Sequence, residues 1–200
     1  MSSLYHNIMR CRERGKYGAK FFSRKIHEYP NWLVRIPAVS GAGRPPSDSE
    51  QVDRTNVFPD IEAFNNVLGI YLAGEIKTTK YNRIYVRNKL RRRKDGSLPP
   101  VPKELVQVRK LFESMNVVGN YPRRYAFLGC KFRKQVRILI LHEWHCRLPF
   151  IAVTPSTGNA FHSVTDFIRF VEQDTRIWFP LNADFLQLVL DREKTARLVC

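Results

Sequence analysis

Phe58–Lys80 reads FPDIEAFNNVLGIYLAGEIKTTK, and the fold turns on how it is divided. Two short apolar, β-prone runs flank the turn-like pair Asn65–Asn66, so the stretch reads as a hairpin. Asp60 follows a proline at the head of the first run, and the second run ends in Glu75-Ile76-Lys77. Residues i and i+2 of a strand share a face, which sets Glu75 beside Lys77. If the two runs pair, Asp60 comes across from them. Two carboxylates beside a lysine suit a hard divalent cation such as Mg²⁺, which takes oxygen ligands and keeps several waters. The lysine can orient a metal-activated water or stabilise charge developing on a phosphate. A surface hairpin with an ordinary cross-strand ion pair carries the same pattern, so the flanking chain has to decide.

The chain has 200 residues, enough for one domain with or without an appendage. Its 34 Lys and Arg outnumber 18 Asp and Glu, giving a net charge of +16. That excess points to a polyanionic partner, nucleic acid before membrane. The 44% apolar fraction supplies a core. No apolar run approaches membrane-spanning length, and MSSLYHNIMRCRERGK has no signal-peptide core. Cys11, Cys130, Cys146 and Cys200 are widely spaced and read as free thiols of a reducing compartment. The expected setting is intracellular, cytoplasmic or nucleoid-associated. No glycine-rich nucleotide loop is present, so no nucleotide cofactor is expected.

Residues 13–29 read as a helix with Tyr17, Phe21, Phe22, Ile26 and Tyr29 as its apolar stripe. Lys16, Lys20, Arg24 and His27 fall on another face, either solvated or touching phosphate. Trp32–Val39 is a strand candidate that runs into Ser40-Gly41-Ala42-Gly43-Arg44-Pro45-Pro46. There a serine, backbone amides and Arg44 could meet a phosphodiester, or the segment could simply be a loop. Arg83–Arg87 reads as a strand, and residues 88–102 as a basic, then proline-rich connection. Lys89, Arg91, Arg92, Arg93 and Lys94 repel one another, and nucleic acid would neutralise them, as it would Lys80. Lys103–Met115 is a helix with Leu105, Val108, Leu111, Phe112 and Met115 inward, and two strands follow at 124–132 and 135–144.

The order to residue 144 is therefore helix, strand, hairpin, strand, helix, strand, strand. With Arg14-Gly15 opening the first helix, the loop VSGAGRPP, Pro59-Asp60, Glu75-Ile76-Lys77-Thr78-Thr79-Lys80 and Ile84-Tyr85-Val86, residues 12–144 resemble the archaeal Holliday junction resolvases of the PD-(D/E)xK nuclease superfamily. The resemblance implies an α/β, restriction-endonuclease-like fold: a mixed central β-sheet flanked by helices. It implies a nuclease-like domain over 12–145; residues 146–200 lie outside the resemblance, and their apolar-faced helices read as a C-terminal helical extension on the core or at a dimer interface. It implies Mg²⁺ or Mn²⁺ on Asp60, Glu75 and the Ile76 carbonyl, with Lys77 positioning the attacking water and Ser40 beside the scissile phosphate. It also implies a homodimer that cuts four-way DNA, with roles in recombination and repair. The family usually has a glutamate four residues after the helix-opening glycine, where this chain has Ala19, and neither Glu13 nor Glu28 is in register. A helix packed beside the hairpin would aim position 19 at Asp60 and Glu75. Ala19 favours the alternative of a catalytically weakened DNA-binding or nucleoprotein structural subunit; the intact Asp60, Glu75 and Lys77 oppose it.

Past residue 144, His142-Glu143-Trp144-His145-Cys146 reads as ordinary strand-end residues, because its histidines lack the i, i+4 spacing of a zinc-protease helix. Leu148–Thr154 can add a strand. Ser163 can cap a helix to about Asp174, and Asn182 a second one.

Overall fold

The protein is described from a computed structural model covering residues 2–37, 59–88, 95–98, 100–118 and 121–175, with side chains from residue 15 onward and not at 117. The elements run α1 (Ser2–His27), β1 (Trp32–Arg35), β2 (Ile61–Asn65), β3 (Ile70–Thr78), β4 (Ile84–Val86), α2 (Val106–Val117), β5 (Arg123–Lys131) and β6 (Val136–Leu141). A 3₁₀ turn (Glu143–Arg147), β7 (Ile151–Val153) and α3 (Val164–Gln173) follow. Five strands form one mixed sheet in the order β1-β2-β3-β5-β6. The β3–β5 pair is parallel, and α2 lies in the long crossover that a parallel pair requires. Strands β4 and β7 pair separately as a two-stranded sheet.

Alternation along β3 divides the core into two layers. Tyr71 and Ala73 join Leu128, Cys130 and Leu139 under α2, β4 and β7. Ile70, Leu72 and Ile76 join Tyr125, Phe127 and Ile138 under Phe22 and Ile26 of α1 and Phe167 and Ile168 of α3. Helix α1 lies close on this second layer. A Cβ at Gly18 would sit 2.5 Å from Thr78 Cγ2 and 2.9 Å from Ile76 Cγ2, so only a glycine fits there without a shift. The β2–β3 hairpin turns through residues 66–69. Asn65 Oδ1 accepts from Leu68 N at 3.0 Å, and Gly69 takes φ +64°, a conformation that favours glycine.

The hairpin, the α2 core face and the strand pair β5–β6 follow the sequence pattern. Leu105, Val108, Leu111, Phe112 and Met115 are all buried. Ser163 caps α3 by accepting from Asp166 N at 3.0 Å, and Val164, Phe167, Ile168 and Val171 enter the core.

Other expectations need correction. Helix α1 extends N-terminally to Ser2. Tyr17 does not belong to its buried stripe and is exposed; Gly18 and Ala19 take the inward position. β1 ends at Arg35 rather than Val39. Asn65 is the last residue of β2, not the first of the turn. His142–Cys146 does not continue β6: Glu143–Arg147 is a 3₁₀ turn, closed by His145 Nδ1 accepting from His142 N at 3.0 Å. The sequence there carries no β-branched residue to hold an extended chain. The helix expected at Asn182 lies outside the described residues.

Candidate active site

The antiparallel register pairs Ile61 with Gly74, and one step further it sets Asp60 opposite Glu75. Asp60, Glu75 and Lys77 therefore share one face at the C-terminal end of β3, the face that carries Tyr71 and Ala73. Asp60 is tied to the strand directly: its Oδ2 accepts from Ile76 N at 2.8 Å. The N–H and C=O of a strand residue point to the same neighbouring strand, so the Ile76 carbonyl lies on the Asp60 side as well. Glu75 is 7% exposed, and its Oε1 is paired with Lys77 Nζ.

The electrostatics of Asp60 are set chiefly by burial. Burial raises the Asp60 pKa above 3.8, and neither the Ile76 hydrogen bond nor the nearby Lys77 cancels that effect. The Asp60 carboxylate is thus short of positive charge. A hard divalent cation would supply it, with Asp60, Glu75 and the Ile76 carbonyl as donors and water filling the remaining positions. Among the described residues no group of three or more His, Cys, Asp and Glu could hold a metal ion. Two carboxylates and a carbonyl are oxygen donors, which suit a hard ion that keeps its waters and not a closed structural zinc.

A third carboxylate on the same face was not foreseen. Glu62 is 4% exposed. It accepts from Tyr71 Oη at 2.9 Å and from Arg35 Nε at 2.7 Å. Burial and this carboxylate push the Tyr71 hydroxyl well above the ordinary tyrosine range. The trio links β1, β2 and β3 just upstream of the candidate site, which fixes the strands that carry Asp60 and Glu75. Its sequence signal was available: Glu62 stands two residues after Asp60, hence on the same face. What hid it was the long gap to Arg35.

Cys130, in register with Lys77, is buried and its thiol is pushed up to about 12. It is a packing residue and not a nucleophile at neutral pH.

Lys16, Lys20 and Arg24 are exposed along α1, and Lys80 is exposed just past β3. Ser40, Arg44, Lys89, Arg91, Arg92, Arg93 and Lys94 lie outside the described residues. The expected approach of Ala19 to the carboxylates is corrected. α1 covers the face bearing Ile76 and Thr78, whereas Glu75 and Lys77 project from the other face, so the sheet stands between them. Ala19 is 5% exposed, buried under the helix.

No family model matches the chain, and no curated protein matches it. Among solved structures it is similar to Hjc, a Holliday junction resolvase from the archaeal hyperthermophile Archaeoglobus fulgidus. The identity is 14%, the match covers 81% of this chain and 98% of that one, and the TM-score is 0.48.

Proposed function

We propose that the chain is a divalent-metal-dependent endodeoxyribonuclease that cleaves branched DNA, four-way junctions in particular, as a homodimer. The observation that supports this reading is the convergence of Asp60, Glu75 and Lys77 on one face of the β2–β3 hairpin, with Asp60 anchored on Ile76 N. Asp60 and Glu75 would hold Mg²⁺ or Mn²⁺ together with the Ile76 carbonyl. When bound, the cation supplies charge to polarise the phosphodiester and to lower the pKa of a water. Lys77, held by Glu75, directs its ammonium to the attacking water or to charge developing on the phosphoryl oxygens. Ser40 and Arg44 would meet the phosphodiester from the adjoining loop. Lys16, Lys20, Arg24, Lys80 and the run 89–94 would contact flanking phosphates, consistent with the net charge of +16.

Incubation with a labelled four-way junction, with Mg²⁺ and with chelator, tests the reading. Cleavage should require the metal, and Asp60→Asn or Glu75→Gln should abolish it while leaving binding intact. Replacing Arg91, Arg92 and Arg93 by alanine should flatten the salt dependence of binding, whose slope is about −0.9 per neutralised phosphate on duplex DNA. Tight binding without cleavage by the wild type would overturn the nuclease assignment and leave a DNA-binding subunit.

A further inference from the structure

A second basic feature lies on the same face as the candidate active site. A groove of about 720 Å³ opens between the end of β3, the β5–β6 turn and the segment after β7. Lys80, Arg133, Lys134 and Arg137 line it, with the hydroxyl residues Thr154 and Ser156 on the far wall. Among the described residues no Asp or Glu lines it.

Arg137 is the unusual member. It is 8% exposed, a level at which arginine is normally paired with a carboxylate. Its Nη1 donates to Val136 O at 2.7 Å, and its Nη2 reaches Gln135 Oε1 at 3.5 Å. Its Nε is buried and has no hydrogen-bond partner among the described residues. Among the described residues a guanidinium at this depth is held only by the two residues that precede it, in a wall of three further cations. The chemistry that completes such a site is an anion with several acceptor oxygens.

Its position relates the groove to the candidate active site. Lys77 is in register with Cys130 on β5, and Cys130 with Arg137 on β6. Lys77 and Arg137 therefore share a face, two strand spacings or roughly 10 Å apart. A few nucleotides of backbone span that distance.

We propose that this groove binds the phosphates of a nucleic-acid strand, with Arg137 as the anchor. The strand then continues from the groove to the Asp60–Glu75–Lys77 cluster. Identifying nucleic acid as the carrier of the phosphate rests on the functional reading above; the anion site itself does not.

The test is fluorescence anisotropy of a labelled four-way junction against three proteins over a series of salt concentrations. They are the wild type, an Arg133→Ala/Lys134→Ala double variant in the exposed turn, and Arg137→Gln. The double variant should bind about tenfold more weakly, as expected for lost charge-assisted contacts. Its salt slope should fall by about one to two units. Inorganic phosphate should raise the melting temperature of the wild type and not that of Arg137→Gln. Circular dichroism checks folding, and the double variant decides alone if Arg137→Gln does not fold. Unchanged affinity and slope in the double variant would overturn the proposal, even if free phosphate stabilises the protein. Binding through the groove by a wild type that never cleaves would sink the nuclease reading and leave the groove standing.

Discussion

The Asp60 carboxylate accepts a hydrogen bond from the Ile76 backbone nitrogen at 2.8 Å, across the open end of the β2–β3 hairpin. A side chain here takes the place of a ladder partner, so β2 begins only at Ile61 while β3 runs on to Thr78. The burial that holds Asp60 in this position also raises its pKa.

Asp60→Asn follows from that relationship. The folded-state pKa lies above the unfolded value of 3.8. Stability contributed by the protonated group is thus full below 3.8 and lost as pH rises through the raised value. Asparagine keeps the hydrogen-bond acceptor and removes the titration. Without metal, the variant should melt higher than wild type near neutral pH, and the difference should close under acid. Mg²⁺ or Mn²⁺ should raise the wild-type melting temperature and leave that of the variant unchanged. A wild type that melts lower in acid than the variant does, relative to neutral pH, would refute the burial argument.

Lys77→Met removes one partner of a carboxylate that is 7% exposed. Losing that ion pair should cost about 1–3 kcal/mol, at the low end because Lys77 is partly in solvent. Glu75 Oε1 would no longer be shared with an ammonium, so metal affinity should hold or rise while cleavage falls by about 10²–10³. Titration calorimetry beside single-turnover cleavage separates the two effects. Parallel loss of both would make Lys77 a structural residue only.

Glu62→Ala tests the buried trio. It leaves the Tyr71 hydroxyl without its acceptor, at about 1–3 kcal/mol; Arg35 can turn to solvent. Removing the carboxylate also removes one of the causes that raise the Tyr71 pKa. Ultraviolet titration should show one tyrosine ionising at lower pH than in wild type. If denaturant midpoints and titration curves coincide, the trio does not stabilise the hairpin.

The hairpin was legible because Asp60, Glu75 and Lys77 fall within a single stretch, where period-two spacing fixes relative faces. The inward residues of α2 and α3 were legible for the same reason at helical spacing. The Arg35–Glu62–Tyr71 trio and the Arg137 groove were not. Each depends on strand order and register, which pair residues far apart in the chain, and alternation within a strand does not say which strand lies beside it. The 3₁₀ turn at Glu143–Arg147 was missed because a short polar segment between strands has no periodicity to read.

The last case is Ala19, where spacing within one helix was sound and the conclusion drawn from it was not. The position four residues past Gly15 does face inward, and Ala19 is 5% exposed. Inward on α1, however, means toward Ile76 and Thr78, where a Cβ at neighbouring Gly18 would already collide. Glu75 and Lys77 lie beyond the sheet. A glutamate at 19 would carry its charge into this packed layer, a burial that costs several kcal/mol or forces protonation. Ala19→Glu should therefore lower the melting temperature, most strongly at high pH, and should not raise metal-dependent cleavage. Thermal unfolding from pH 4 to 9, beside cleavage of a four-way junction, checks both parts. A variant that melts like wild type and cleaves faster would mean that the helix end swings round to the carboxylate face, and that position 19 belongs to the metal site.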